Sequence, residues 1–331
     1  MSAITDLSPD ERRARVMLSL LAEPDDPLTG RLVRKAGAAE ALRLLDGDGP
    51  VPGLNRVDSQ VWRDRLSLRT RRDDVAGRLN SIERSGITVL IPDDEHWPGA
   101  LDDLGDRAPY VLFARGATSF LTRPMSNLVT VTGARASTGY GEQVATQLAA
   151  GLAANERVTV AGGAYGIEGA VHRATLAAGG DTIAVLAGGV DRPYPNGHRE
   201  LLDRVADVGV LVSELPPESA PTRQRFLARS RLMAALSGAT VVVEAGARSG
   251  PLRVATEAHR LGRGVGAVPG PVTSVNSIGP HELVRTGVGR LVTSVTDVEQ
   301  LVSHPEGGRT ALDPQFHRLE APGTEAATLS M

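Results

Sequence analysis

Cysteine is absent from the 331 residues, and lysine occurs once, at Lys35. Without a thiol, a disulfide framework, a thiolate metal site and a cysteine nucleophile are all excluded. The one lysine lies far from any glycine-rich loop, so there is no Walker A phosphate loop. No run approaches the roughly 18 apolar residues of a membrane span. The opening stretch MSAITDLSPDERRARV mixes acids with arginines and lacks the apolar core of a signal peptide. A cytoplasmic protein with no membrane partner is the expectation. The seven histidines are scattered with no metal-ligand spacing, so neither metal nor cofactor is expected. No Gly-x-Ser-x-Gly elbow occurs. A strict Gly-x-Gly-x-x-Gly is also missing, which argues against a nicotinamide dehydrogenase.

Hydrophobic residues make up 41% of the chain, charged residues 23% and aromatics 3%. These are values for a soluble globular protein long enough for one large core and a small accessory unit. Net charge is -3, so the chain as a whole does not attract nucleic acid. Arginine supplies nearly all the positive charge, as GC-rich coding would produce. Arginine abundance is therefore uninformative, and only position can indicate phosphate binding.

Apolar residues at three- and four-residue spacing predict helices over Glu11–Ala22 and Gly30–Leu45, broken by Asp46-Gly47-Asp48-Gly49-Pro50. Residues 1–70 read as a small helical domain and 71–85 as a linker helix. From Gly86 short Val- and Ile-rich runs alternate with amphipathic stretches. Strands are predicted at Thr88–Ile91, Leu128–Thr132, Val158–Ala161, Thr182–Ala187, Val208–Val212, Thr240–Ala245 and Val265–Val268, with helices between most of them and a last helix-strand-helix over Pro280–Val302. That alternation predicts an α/β fold, an extended Rossmann-like parallel sheet over residues 86–303. Residues 304–331 read as a disordered tail.

Ligands of such sheets sit beyond the carboxyl ends of the strands. The first such loop reads Gly133-Ala134-Arg135-Ala136-Ser137-Thr138-Gly139. Its glycines permit close backbone approach, the following helix offers unpaired N–H groups, and Arg135 adds a donor fork. Ser137 stands at the helix cap. A second loop, Gly162-Gly163-Ala164-Tyr165-Gly166, has three glycines in five residues. His172 beyond it fits a structural or edge position better than a catalytic one. The loop Gly188 to Pro195, with Tyr194, reads as a fixed surface turn at least as well as a ligand contact.

The sharpest feature is an arginine cluster, Arg223, Arg225, Arg229 and Arg231, in a segment free of acids from Ser219 to Val243. Phe226 sits within it. Arginines contact phosphates, and a ring offers stacking to an unpaired base. The plainer reading is a solvated helix with Phe226 in the core. Glu244 closes a strand and could accept from a base, a ribose or an arginine. Ser249-Gly250 opens another helix toward an anion.

Taken together, VTVTGARASTGYG, AGGAYGIEGAVHRATLAAGGDTIAVLAGGVDRPYPNGHRELL, SELPP, RFLARSRLMAALS, VVVEAGARSG and AVPGPVTS resemble, in order, the DNA-processing protein A (DprA/Smf) family in its actinobacterial form. The resemblance covers about Ile87 to Val302. The helical start is similar to that family's sterile-alpha-motif-like domain. The resemblance implies a non-enzymatic, homodimeric protein that binds single-stranded DNA and loads the RecA recombinase in DNA uptake and recombination. It implies a DNA pocket lined by Gly133, Arg135, Gly162 and Gly163, with Arg223, Phe226, Arg229 and Arg231 on the family's basic and aromatic positions. Three residues depart from the pattern: Ser230 for Asn, Glu168 for Asp, and Pro251 for a small helix former. The family's C-terminal winged helix is expected to be lacking.

Two other readings compete. One is a nucleotide-processing Rossmann enzyme, a LOG-like phosphoribohydrolase with Glu244 at the ribose, although Pro269-Gly270-Pro271 does not match that class's loop. The other is an adaptor that recruits a recombinase without binding DNA.

Overall fold

The continuous apolar runs form the centre of one nine-stranded sheet in the computed structural model, which describes residues 10–67 and 72–304. The expected tail, beyond residue 304, lies outside the described residues. Strands β1 (Thr88–Leu90), β2 (Leu112–Gly116), β3 (Leu128–Thr132), β4 (Val158–Gly162), β5 (Thr182–Val185), β6 (Val210–Ser213), β7 (Ala239–Val242), β8 (Gly264–Ala267) and β9 (Arg290–Leu291) are ordered β1-β2-β6-β5-β4-β3-β7-β8-β9. From β6 across to β9 every pairing is parallel. The β1–β2 and β2–β6 pairings are antiparallel. β1 falls within the strand expected at Thr88–Ile91, but β2 and the antiparallel pairing were not expected from the sequence. Leu112-Phe113-Ala114 is buried, and β2 pairs from Phe113 onward with β6, which follows it by about a hundred residues, so no local pattern reports it.

Helices α1 (Glu11–Leu21), α2 (Pro27–Ala36), α3 (Ala38–Asp46), α4 (Arg56–Ser67) and α5 (Arg72–Arg84) precede the sheet. The single helix expected over Gly30–Leu45 is two. Gly37 takes φ +85 between α2 and α3, and the Glu11 carboxylate accepts both Ala38 N and Ala39 N at 2.9 and 3.2 Å. A carboxylate on free N–H groups caps the new helix start. Buried α1–α5 residues share one apolar cluster with sheet residues Phe113, Leu186 and Leu211.

Helices α6 (Gly139–Ala154), α7 (Ile167–Ala177), α8 (Arg199–Val208), α9 (Arg223–Leu236), α10 (Gly250–Arg260), α11 (Ile278–Arg285) and α12 (Val295–Ser303) complete the chain. The pleat sorts β3 by face. Val129 and Val131 join the α6–α7–α12 cluster, while Thr130 Oγ1 donates to Met233 O of α9 at 2.9 Å. Val208 closes α8 rather than opening β6. Among the described residues, no helix is long and apolar enough to cross a membrane.

One buried ion pair ties these parts together. Arg231 of α9 is 1% exposed, and its two terminal nitrogens reach Glu214 at 2.6 Å each. Its Nε donates to Arg107 O at 2.7 Å and lies 3.4 Å from Asp25. Asp25, at φ +63, also receives Arg107 at 2.6 and 2.9 Å. Arg231 is thus enclosed by carboxylates and carbonyls, and the expected DNA contact at this position is corrected to a strut. Arg231→Ala leaves Glu214 buried without its partner. Chemical denaturation should show a loss of about 3–5 kcal/mol. A change below about 1 kcal/mol would contradict the strut.

Candidate nucleic-acid interface

The sheet order reverses between β3 and β7. After β3 the chain winds outward through β4, β5 and β6, then α9 returns it to the other side of β3. Connections diverge at such a switch point and leave a crevice at the carboxyl ends. A cleft of about 330 Å3 occupies it, lined by Gly133, Arg135, Phe226, Arg229, Ser249 and Gly250, among others. Six of the residues expected at the site therefore meet there.

The two glycine loops are packed onto one another. Ile167 N donates to Ala134 O at 3.2 Å. Gly166 sits at φ +73 and ψ -129, where a Cβ would also collide with Ala134 O. Only glycine suits that position. Gly162 and Gly163 are buried behind the cleft and do not line it, which corrects the pocket-lining role implied for them. A side chain on Gly162 would displace the Arg229 guanidinium, so its role is to leave room for that group.

Arg229 forms the floor. Its Nη2 lies 3.4 Å from Glu168 Oε1 and its Nη1 3.5 Å from Val185 O. Its Nε has no hydrogen-bond partner among the described residues. Five fixed donors held by two long contacts form an under-satisfied guanidinium. Glu168 is better satisfied, accepting from Thr132 Oγ1 at 3.0 Å and Ala164 N at 3.1 Å. Its longer reach, in place of the usual Asp, meets α9 from the first turn of α7.

Phe226 stands at the mouth, and two guanidiniums approach its ring, Arg135 at 4.4 Å and Arg229 at 5.4 Å from the centroid. Tyr194 meets it edge-on at 6.2 Å. Cation–ring contact orients each fork without using up its N–H donors. Arg135 is exposed. On the far wall, α10 begins at Ser249 with no side-chain cap, so the Gly250 N–H faces an open helix start.

Other expected site residues lie apart. Arg223 is exposed at the first turn of α9, outside the cleft lining. Arg225 points instead to Glu23, which it holds at 3.0 Å through two nitrogens. Ser137 donates to Glu142 at 2.8 Å. Glu244 is 4% exposed and accepts from Thr138 N and Oγ1 at 2.9 and 2.6 Å. It fixes the start of α6, which corrects its expected contact with a base or ribose. Asn276 was not anticipated. It lines the cleft and donates to Ala136 O at 3.0 Å, and its place beyond the carboxyl end of β8 was the available signal. Among the described residues no cluster of three or more metal-ligating side chains occurs.

The fold is thus a Rossmann-like sheet whose switch-point cleft carries arginines, a ring and a helix start without a side-chain cap. Residues 88–303 match the family of DNA recombination-mediator protein A. The chain is 45% identical over 303 residues to a Mycobacterium tuberculosis protein of the DprA name, covering 88% of this chain and 75% of that one. The solved DNA processing protein A of Streptococcus pneumoniae superposes with a TM-score of 0.68 at 30% identity, covering 87% of this chain and 96% of that one. The Helicobacter pylori protein, whose structure is described for its single-stranded DNA binding mode, gives 0.58 at 28% identity, covering 65% and 96%. This chain belongs to the DNA recombination-mediator protein A family, the DprA/Smf proteins.

The cleft rests on a buried polar ladder. His172 is fully enclosed, with Nδ1 2.8 Å from Thr182 Oγ1 and Nε2 3.0 Å from Gly162 O. Burial holds its pKa down to about 4. The unfolded chain therefore binds a proton near pH 6.5 that the folded chain refuses until about pH 4. Stability is full above about pH 6.5 and falls as pH drops from there toward 4, by up to about 3 kcal/mol. Urea titrations of wild type and His172→Gln should differ in slope across that window. Equal slopes would show that His172 is not the group responsible.

Proposed function

We propose that this protein binds single-stranded DNA across the switch-point cleft and passes it to the RecA recombinase during DNA uptake and recombination, with no chemistry of its own. The observation that carries the reading is the exposed Arg135 guanidinium stacked on Phe226 above the under-satisfied Arg229. Unpaired strands need cations for phosphates and rings for bases, and this site supplies both within a few ångströms. The Helicobacter pylori relative, described for single-stranded DNA binding, supports the same ligand. The phosphoribohydrolase alternative needs a carboxylate open to the ribose, and Glu244 is engaged by Thr138.

The same reading places a second copy of the chain against the β9 edge. Leu291 is 54% exposed there, and α11, which packs on β9, exposes Ile278 at 47% and Val284 at 39%. An exposed edge strand with apolar side chains invites pairing. Leu291→Arg should convert a dimer into a monomer in sedimentation velocity. A dimer of unchanged mass would place the interface elsewhere.

The DNA assignment is tested by anisotropy with labelled oligothymidylate at several salt concentrations. Arg135→Ala should weaken binding by roughly 1.5–3 kcal/mol and reduce the salt slope by about 0.7. Unchanged affinity and slope would remove Arg135 from the interface.

A further inference from the structure

Aromatic rings are scarce in this chain, with four Phe, two Trp and four Tyr. Both tryptophans, Phe113 and Tyr110 are buried. Against that economy, Tyr194 is 50% exposed and Tyr165 47%. Tyr194 lies in the β5–α8 loop and Tyr165 in the β4–α7 loop, next to each other along the carboxyl edge. The Tyr194 ring meets Phe226 at 6.2 Å. Tyr165 packs over Gly197 and stands edge-on to the His198 ring at 4.6 Å. The two rings thus stand on the neighbouring loops beyond β4 and β5, on the side of the cleft away from β7, with Tyr194 against Phe226.

Cations flank the rings. Arg199 has a side chain 75% exposed and reaches Asp203 only at 4.0 Å. Arg192 is 77% exposed and reaches Asp191 and Glu218 at 3.6 and 3.9 Å. Long, solvated pairs of this kind contribute little, so a phosphate can replace the carboxylate at small cost.

We propose that Tyr194 and Tyr165 are a second base-stacking subsite that continues the DNA path outward from Phe226, with Arg192 and Arg199 beside its phosphates. The proposal rests on the single-stranded DNA reading of the cleft and extends the strand's path to the β4–α7 and β5–α8 loops. Bases of any identity stack on a ring, so the subsite lengthens the footprint without adding sequence preference.

The test is fluorescence anisotropy of the full chain at one ionic strength with oligothymidylates of about 4 and about 12 nucleotides, the span of single binding sites on such surfaces. Tyr194→Ala should bind the long oligonucleotide about 5- to 150-fold more weakly, the loss expected for one stacked base, and the short one as wild type does. Tyr194→Phe should match wild type on both. Tyr165→Ala, on the neighbouring loop, provides a second variant should Tyr194→Ala melt at lower temperature. Wild-type affinity of the alanine variants for the long strand overturns the proposal. So does an equal loss for both lengths, which would mean that Tyr194 acts only by holding Phe226. Failure of the wild-type chain to bind either strand would instead defeat the underlying DNA reading.

Discussion

A guanidinium keeps its proton in a protein, so an arginine taken below the surface obliges the fold to bring a carboxylate to it. In α9 this happens twice within three residues. Arg231 is met by Glu214 from the end of β6 at 2.6 Å, and Arg229 by Glu168 from the first turn of α7 at 3.4 Å. The two pairs differ in kind. The first is bidentate, closed and backed by Asp25 and the Arg107 carbonyl. The second is long and leaves Nε without a partner. A fold can carry the first as internal structure. The second is an arrangement that a bound anion would improve, and it lies where the sheet order reverses.

The surroundings of Arg229 follow from that placement. Room for the guanidinium requires no side chain at Gly162, and the approach of the neighbouring loop requires Gly166 in a conformation other residues avoid. Glu244, two residues beyond the end of β7, steadies the start of α6 through Thr138 and so fixes the loop that presents Arg135. Gly162, Gly166 and Glu244 are thus supports behind the cleft. The groups left for a ligand are Arg135, Phe226, part of Arg229 and the open start of α10.

Much of this was legible in the residues. Continuous Val-rich runs marked the parallel strands, and glycine after β3 and β4 marked the carboxyl edge. What a linear pattern could not report was the direction in which each arginine points. Arg223, Arg225, Arg229 and Arg231 read as one basic patch because no acid lies among them in sequence. In space their partners come from elsewhere: Glu23 from the turn after α1, Glu168 from α7 and Glu214 from β6. The stretch Ala228–Leu236 is buried on all sides, so α9 shows no amphipathic stripe that would separate inward from outward residues. The β2 edge was missed for a related reason, since its pairing with β6 is long-range and antiparallel within an otherwise parallel sheet.

A chain with net charge -3 gains no long-range attraction to a polyanion. Arg225, Arg231 and Arg107 face carboxylates, while Arg135 at the cleft is exposed. Screening over about a Debye length confines the field of such a group to the site itself. Affinity in this arrangement has to come from short-range terms, namely oriented guanidinium contacts and ring stacking. A basic surface would hold any nucleic acid, duplex included. On the proposed reading, a cleft with rings at its mouth would favour a strand whose bases are already unpaired, because only that strand can exchange water on its base faces for Phe226 without first giving up base pairs.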